Sequence, residues 1–447
     1  MMSTISAPTL YSRKKTIHHS TSHEPMWAIE LREEAARMFD SLPLPARIDE
    51  PWRRTDLTSV KFEQFLNDWD EMANGETSES LIPEEGFCRI HTGQGTQPAR
   101  GELYMTERRC ADSVDGLTVI PVALAVHAVP DIIKPYLRYY ANPGLHPSML
   151  RFNAAVYAFR NAGVFVDVAD RKKIMLPIGI VAKLFTENTT LYTHNVIHVG
   201  RDASLEIAEE FVSPGDRRAL LSHSHTHIIL EEGAQLRFTG LQNWGTGVFH
   251  FGTHQFTIGA HANADVIWGG LGSRIAKSRI IVDLAGEGAT AKIGGFVAGN
   301  AKQFLDHDTM QHHIARNTNS DLLFKGVVTD RARSVYQGLI VVDKAAQRTD
   351  AYQSVKHIIL SKNAHVDALP GLEILADDVR CTHGATTSQV NEEQLYYMAC
   401  RGLSRTAAEE LLIEAHLEPI LARIPNVELQ NRCRDTISMK LLGHSLD

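Results

Sequence analysis

The sequence predicts a mainly β protein, in which a parallel β-helix forms the core and helical domains flank it on both sides. Between about residues 165 and 378, short runs of β-branched and aromatic residues follow one another, separated by Gly, Asn and Asp. A turn-forming residue followed by Ala, any residue and an apolar residue returns at intervals of 31, 30 and 25 residues, a spacing typical of solenoids. Before and after this region, apolar residues recur at helical spacing. A large sandwich with irregular loops is the alternative.

The first part of the chain divides into a tail and a mixed domain. We expect residues 1–24 to form a flexible tail, because residues 1–23 contain no acid and are rich in Ser, Thr and His. A plastid transit peptide would have a similar composition and stays an alternative. Residues 25–150 are predicted to form a helical and mixed domain, whose first helix has Leu31, Ala35 and Met38 on one face.

Residues 151–388 are predicted to form the β-helix core. Four copies of the turn pattern support it and begin at Asp202, Gly233, Asn263 and Asn363, and a looser copy begins at Gly288, 25 residues after Asn263. Propeller blades usually need about 40 residues, so the shorter interval favours a β-helix.

Residues 389–447 are predicted to form a C-terminal helical domain. Asn391 is suited to begin one helix and Gly402 to end it, and Ser404 is suited to begin the next. That second helix carries an apolar row beside charged residues, a face suited to a groove in a partner or to capping the β-helix. The face consists of Leu411, Leu412 and Ala415, beside Glu409 and Glu410.

Composition excludes several classes of function. The net charge of −8 argues against bulk nucleic-acid binding. The five cysteines are odd in number and form no Cys-x-x-Cys pair, which fits a reducing compartment, and we expect a cytoplasmic protein. No apolar stretch is long enough to span a membrane. The sequence also has no P-loop, so we expect no ATP hydrolysis by this chain alone.

Histidines are the first candidate metal ligands. His223, His225 and His227 alternate along one predicted strand, so their side chains are expected on one face. Such a row could bind iron or zinc, or could form a polar outer ladder of half-exposed imidazoles. A second group combines residues 306–308 with residues 312–313, where a surface loop is the simpler interpretation.

The most specific stretch is residues 370–389. Cys381 and His383 are two residues apart, so on an extended chain both point to the same side, and Gly384 allows close approach of another group. Two ligands cannot complete a metal site, so a functional pair would need ligands from another subunit. A buried thiol and a structural imidazole are the alternative.

The adjacent carboxylates Asp377 and Asp378 suggest a different function. A β-helix carbohydrate-active enzyme, such as a polysaccharide lyase or hydrolase, uses two carboxylates around a glycosidic bond. Neighbouring residues on a strand face opposite ways, so a role in capping a turn is expected here.

Residues 370–403 closely resemble the signature of the SufD family, scaffold components of the SUF system for iron–sulfur cluster assembly. Residues 52–56 (Trp-Arg-Arg-Thr-Asp), 152–155, 335–338 and 353–361 are similar to shorter elements of that family. Residues 353–361 contain no cysteine, whereas the paralogue SufB carries one on the corresponding late strand. The sequence of this segment therefore resembles SufD rather than SufB.

The resemblance implies a right-handed parallel β-helix and a non-catalytic scaffold that pairs with SufB. It also implies docking of the ABC-type ATPase SufC at the C-terminal helices, around Ser404 and the face defined above. His383 is implicated in cluster assembly and metal binding at the SufB interface, with Cys381 secondary. The cluster is then transient and shared with SufB, with no cofactor held stably by this chain alone. A flavin in the complex and a homodimer of the free chain are left open.

Overall fold

The computed structural model describes residues 24–65, 79–93, 114–139, 147–215 and 218–443. The predicted tail therefore lies outside the described residues, except Glu24. The N-terminal part contains two short 3-10 helices, Glu50–Trp52 and Phe62–Phe65. Its α-helices are α1 (Met26–Ser41), α2 (Val122–Ala128), α3 (Pro130–Leu137) and α4 (Pro147–Phe159). The C-terminal part contains α5 (Glu392–Cys400), α6 (Arg405–Leu421) and α7 (Val427–Leu442).

The core is a parallel β-solenoid made of two sheets, which confirms the predicted fold class. The strands of the first sheet, sheet A, are β1 (Cys88–Gly93), β4 (Ile178–Lys183), β6 (Ser204–Val212), β8 (Gln235–Asn243), β10 (Asn263–Gly270), β12 (Thr290–Gly299), β14 (Asn319–Val328), β16 (Thr349–Ile359) and β18 (Val379–Gln389). Those of sheet B are β2 (Leu117–Pro121), β3 (Val164–Val168), β5 (Thr190–Val199), β7 (Leu220–Leu230), β9 (Val248–Ile258), β11 (Ile275–Leu284), β13 (Phe304–His313), β15 (Arg333–Val342) and β17 (His365–Ile374). From β3 onward, consecutive strands alternate between the two sheets, so one turn of the solenoid uses one strand of each. β2 is the exception, because it lies at the edge of sheet B and pairs antiparallel with β3.

The recurring turn pattern marks the corners of these turns. Asp202 and Gly233 both have positive φ, 52° and 71°, and each precedes a strand of sheet A. The alanine after each of them is fully buried, and the apolar residue two positions later enters the interior. The copies at Asp202, Gly233 and Asn263 therefore start strands of sheet A, whereas the copy at Asn363 precedes β17 of sheet B.

Side chains alternate between the lumen of the solenoid and its outer faces. The parallel registers stack equivalent positions, so Leu205, Leu236 and Ala264 form one inward row and belong to the main apolar core. Inward positions are shielded by the solenoid itself. A strand is buried along its whole length where another element also covers its outer face. The two helical parts bury part of the outer faces.

The N-terminal helices cover the outer face of sheet B. Helix α4 packs against β5, β7 and β9, and α1 packs against α4. The predicted face of the first helix is confirmed at Leu31 and Ala35, which are buried. Helix α4 begins at Pro147, so residues 151–159 of the predicted core are helical and the solenoid strands of this region begin at Val164.

The C-terminal helices cover the outer face of sheet A and do not cap the end of the solenoid. Ile413, Leu417 and Ile420 of α6 lie in one apolar cluster with outward residues of sheet A, including Leu241 and Phe296. The capping role proposed for these helices is therefore wrong, because their apolar face lies along the side of the solenoid. Within the described residues, no helix has the length and hydropathy needed to cross a membrane.

Candidate functional site

The terminal turn of the solenoid is open. Among the described residues, β17 and β18 are the last strands of sheets B and A, so each has one neighbouring strand and one unpaired edge. These edges are 10 and 11 residues long, and nearly all of their residues are exposed or half-buried. Long unpaired edges that display backbone N–H and C=O groups are templates for pairing with another chain.

The open end exposes apolar side chains whose counterparts in the preceding turn are buried in the lumen. Leu372 and Ile374 continue the inward rows of Ile340 and Val342, which are fully buried one turn earlier. Leu372 is 38% exposed and Ile374 39%. The open end therefore displays part of the apolar interior, and a covering partner would bury it.

Cys381 and His383 both lie on β18 and on the same side, as their spacing predicts. Register places Cys381 beside Ala351 and His383 beside Gln353, two fully buried inward residues of β16. His383 is therefore the last member of an inward row, and its imidazole is exposed at the open end. In the described part of the chain, no atom outside Gly384 and its two chain neighbours lies within 4 Å of a Cβ built on Gly384, so space is available beside it.

Cys381 has a different environment from His383. Its side chain is half-buried and packs against the small apolar cluster that contains Ile340, Val342 and Ala376. Burial, reinforced by the charge of Asp350, raises the pKa of the Cys381 thiol above its ordinary value. A thiol of raised pKa is a poorer nucleophile and metal ligand at neutral pH. The structure thus separates an accessible imidazole from a less reactive thiol.

The predicted docking face on the C-terminal helices lies beside a groove between α6 and α7. Asn391 and Ser404 begin α5 and α6 as expected, since their side chains accept hydrogen bonds from the backbone N–H groups of Glu393 and Ala407. Leu411 is 44% exposed and Ala415 is also exposed. Glu409, Glu410 and Leu412 are half-buried.

The groove combines an apolar floor with an acidic rim. Its floor is formed mainly by Ile413, Leu417, Leu421, Ile437 and Leu442, and its rim includes Glu410, Glu414 and Glu418. Glu418 is paired with Arg434 at 2.8 Å, and Glu410 accepts a hydrogen bond from the hydroxyl of Ser438. This composition suits an apolar segment with basic flanks.

The histidine-rich strand faces outward, but it is buried under the N-terminal helices. His223 and His225 are only 2% and 3% exposed and His227 is half-buried, so the expectation of half-exposed imidazoles is wrong for the first two. The His225 ring lies nearly parallel to that of His227, with ring centres 6.1 Å apart. Stacked rings direct their nitrogens side by side and not toward one point. Among the described residues, no group of three or more His, Cys, Asp or Glu side chains is arranged to hold a metal ion.

Residues 306–313 form strand β13 and not a surface loop. Asp306 is fully buried on the outer face and pairs with the ammonium group of Lys277 at 2.7 Å. The hydroxyl of Thr55 donates a hydrogen bond to the same carboxylate, and Trp52 lies against Lys277. The Trp-Arg-Arg-Thr-Asp element therefore fixes the N-terminal part to the solenoid.

A carboxylate–imidazole pair inside the lumen was not expected from the sequence. The carboxylate of Glu209 is fully buried and contacts the ring nitrogen Nε2 of His254 at 2.5 Å. The side chains of Asn195 and Thr226 donate further hydrogen bonds to it. Its signal in the sequence is two adjacent glutamates, Glu209 and Glu210, within a strand of otherwise apolar texture.

Comparison with known proteins identifies the family. The family described as "SUF system FeS cluster assembly, SufBD core domain" matches residues 183–416, about half of the chain. The chain belongs to the SufBD family. Its SufBD relatives include the iron–sulfur cluster assembly protein SufB of Bacillus subtilis, 24% identical over 414 residues, which cover 90% of this chain and 87% of the relative. A SufBD family protein of Staphylococcus haemolyticus is 23% identical over 414 residues, with the same coverage of 90% and 87%.

SufBD membership assigns the chain to iron–sulfur cluster assembly. This assignment replaces the alternative interpretation of the chain as a β-helix carbohydrate-active enzyme. Asp377 and Asp378 lie exposed in the turn before β18, where the backbone N–H of Asp378 donates to the side chain of Gln347. That position fits a turn-capping role.

Proposed function

We propose that this SufBD protein is a SufD-type scaffold subunit. It pairs with a SufB-type paralogue through the open end of the solenoid and docks a SufC-type ATPase at the groove between α6 and α7. The iron–sulfur cluster is the cargo of the complex, assembled transiently at the open end, with His383 as one ligand. ATP hydrolysis belongs to the docked partner.

The open terminal turn is the observation that carries this proposal. Two long unpaired edges and the exposed Leu372 and Ile374 can be satisfied together by another solenoid end, because it offers the same spacing of backbone groups and an apolar lumen. A paralogue with the same fold is the natural partner for such a surface. The exposed imidazole of His383 then faces the partner's terminal turn.

The SufD assignment rests on strand β16 and on β18. β16, Thr349–Ile359, contains no thiol, and its inward positions beside Cys381 and His383 are Ala351 and Gln353. Cys381 is half-buried with a raised pKa. The chain thus contributes one accessible ligand, His383, and the remaining ligands of a cluster must come from the partner or from small molecules. Neutral imidazole is a good ligand for iron.

The test for the site is replacement of His383 by Ala. The side chain is exposed, so we expect the variant to fold and to co-purify with its partners at unchanged stoichiometry, but to lose iron–sulfur enzyme maturation in cells. His365→Ala is the matched control, since this imidazole is also exposed on a terminal strand but belongs to β17. Maturation by the His383→Ala variant at the wild-type rate would remove the imidazole from the proposal.

The test for the docking groove is a pull-down of the SufC-type ATPase. Leu411→Asp places a charge on the exposed apolar row without entering the core, so folding is expected to persist while ATPase binding falls about tenfold or more. Val427→Asp is the matched control, because Val427 is 67% exposed at the start of α7 and does not line the groove. Equal loss of binding in both variants, or in neither, would place the docking surface elsewhere.

A further inference from the structure

The lumen of the solenoid contains polar side chains with at least one buried hydrogen-bonding atom that has no partner among the described protein atoms. They include Ser224, His250, Ser278, His307, Gln353 and His357. All six face inward by register, and none is more than 1% exposed. For His307 both ring nitrogens are unpaired, and for Gln353 both amide atoms. Buried polar atoms of native proteins nearly always have partners, and ordered water supplies them where protein atoms do not.

Glycines make room for four of these side chains. A Cβ built on Gly252 would lie 2.6 Å from His250 Nε2, and one built on Gly270 would lie 2.5 Å from His307 Nε2. Gly326 seats the His357 ring, 2.2 Å from its Cδ2, and Gly338 seats the amide of Gln353 in the same way. The space for each imidazole or amide thus depends on a residue without a side chain. The space beside these glycines and the unpaired polar atoms therefore occur together along the lumen.

The polar side chains follow the axis of the solenoid. His254, which lies on β9 with His250, contacts the Glu209 carboxylate, and His307 lies two turns beyond β9. The rings of His307 and His357 both contact Phe324, at 5.1 and 5.9 Å between centres. Gln353 is the register neighbour of His383 on the terminal strand. The row therefore leads from the interior pair to the open end.

We propose that this row binds a file of water molecules in the lumen, and that the file exchanges protons with solvent through the open end beside His383. Each neutral imidazole both donates and accepts a hydrogen bond, so it can pass a proton along such a file. Cluster assembly at the open end rests on the proposed function. If clusters are assembled there, the water file gives the open end a route for the proton that is released when hydrosulfide becomes bridging sulfide. The water file itself does not depend on that function.

The test measures exchange of imidazole N–H protons with deuterated solvent. The full chain is labelled with 15N-histidine and followed by NMR in the absence of partners, iron and sulfide. We expect the ring protons of His307 and His357 to exchange on the order of 100-fold faster than those of the matched controls, His194 and His225. The controls are equally buried and have both ring nitrogens unpaired, but they lie outside the lumen under the N-terminal helices.

A variant and a second measurement sharpen the result. Gln353→Leu replaces the amide nearest to His383 by an apolar side chain of similar size, and we expect it to slow exchange at His307 about tenfold without changing His225. A crystal structure of the wild-type chain is expected to contain ordered water within hydrogen-bond distance of His307 or Gln353. Exchange of His307 and His357 at the rate of His194 and His225, or a lumen without ordered water at these atoms, would overturn the proposal.

Discussion

Acidification is expected to destabilise this protein well before its carboxylates titrate, because many of its histidines are buried in neutral form. Desolvation lowers the pKa of His223, His307 and His357 to about 3 and that of His227 to about 4. Three more imidazoles have a pKa well below the ordinary value for the same reason, with neighbouring histidines adding to the effect. They are His194, His225 and His250.

The sign follows from proton uptake on unfolding. In the unfolded chain these histidines bind a proton below about pH 6.5, whereas in the folded chain they stay neutral to a much lower pH. The unfolded state therefore gains protons as the pH falls, and each histidine removes about 1.4 kcal/mol of stability per pH unit below 6.5. Between pH 7 and pH 5 the loss is about 2 kcal/mol for each.

The four histidines with pKa values of about 3 or 4 together remove about 8 kcal/mol between pH 7 and pH 5, which is within the range of the whole stability of a typical folded protein, and the other three act in the same direction. Two half-buried histidines act in the opposite direction. Hydrogen bonds to Asp167 and Asp283 raise the pKa of His198 and His312, so their contribution is fully present in acid and is lost as the pH rises. The two raised pKa values offset only part of the destabilisation that the seven lowered pKa values cause in acid. We expect the chain to begin unfolding between pH 6 and pH 5.

The assay is thermal unfolding followed by tryptophan fluorescence from pH 8 to pH 4.5. We expect a plateau above about pH 7 and a steep fall below pH 6.5. Replacing His307 by Phe removes one titrating group, so the stability difference between pH 7 and pH 5 is expected to shrink by about 2 kcal/mol. The exposed His127 is the matched control, and His127→Gln is expected to leave that difference unchanged. A stability that stays flat from pH 7.5 to pH 5 would refute the reasoning.

Two further predictions concern single contacts. Lys277→Met leaves the buried Asp306 carboxylate without its cation and is expected to cost about 3–5 kcal/mol. The double variant Lys277→Met, Asp306→Leu is expected to recover most of this loss in chemical denaturation, and equal damage in both would contradict a buried charge as the cause. Cys381→Ser is expected to preserve iron–sulfur enzyme maturation in cells, since its thiol is half-buried with a raised pKa. Loss of maturation as severe as that of His383→Ala would make the thiol an equal partner.

The solenoid was predictable because its physical causes are local. Strand-forming runs, turn residues and a period near 30 residues all repeat along the chain, and a turn such as Asp202 or Gly233 requires little tertiary information. The C-terminal helices were predictable for the same reason. Their starts depend on the capping side chains of Asn391 and Ser404, and α5 is followed by Gly402 with φ 91°.

What covers each face could not be read from the sequence. The alternation of residues 223–227 places the three histidines on one side, but burial of His223 depends on Phe152 of α4, 5.1 Å away between ring centres. Asp306 looked like part of a surface loop because its partners Thr55 and Lys277 are distant along the chain. Long-range pairing of this kind leaves no periodic signal.

The placement of the two helical parts determines where a partner can bind. Helix α4 packs on the outer face of sheet B at β5, β7 and β9, and α6 and α7 pack on that of sheet A at β12 and β14, so much of the apolar surface on the outer faces is already paired with this chain's own side chains. A solenoid without a cap exposes its lumen and two strand edges. The described residues contain helices able to act as caps, yet these lie along the sides. The terminal turn is therefore the surface that a second solenoid would complete, and His383 lies on it.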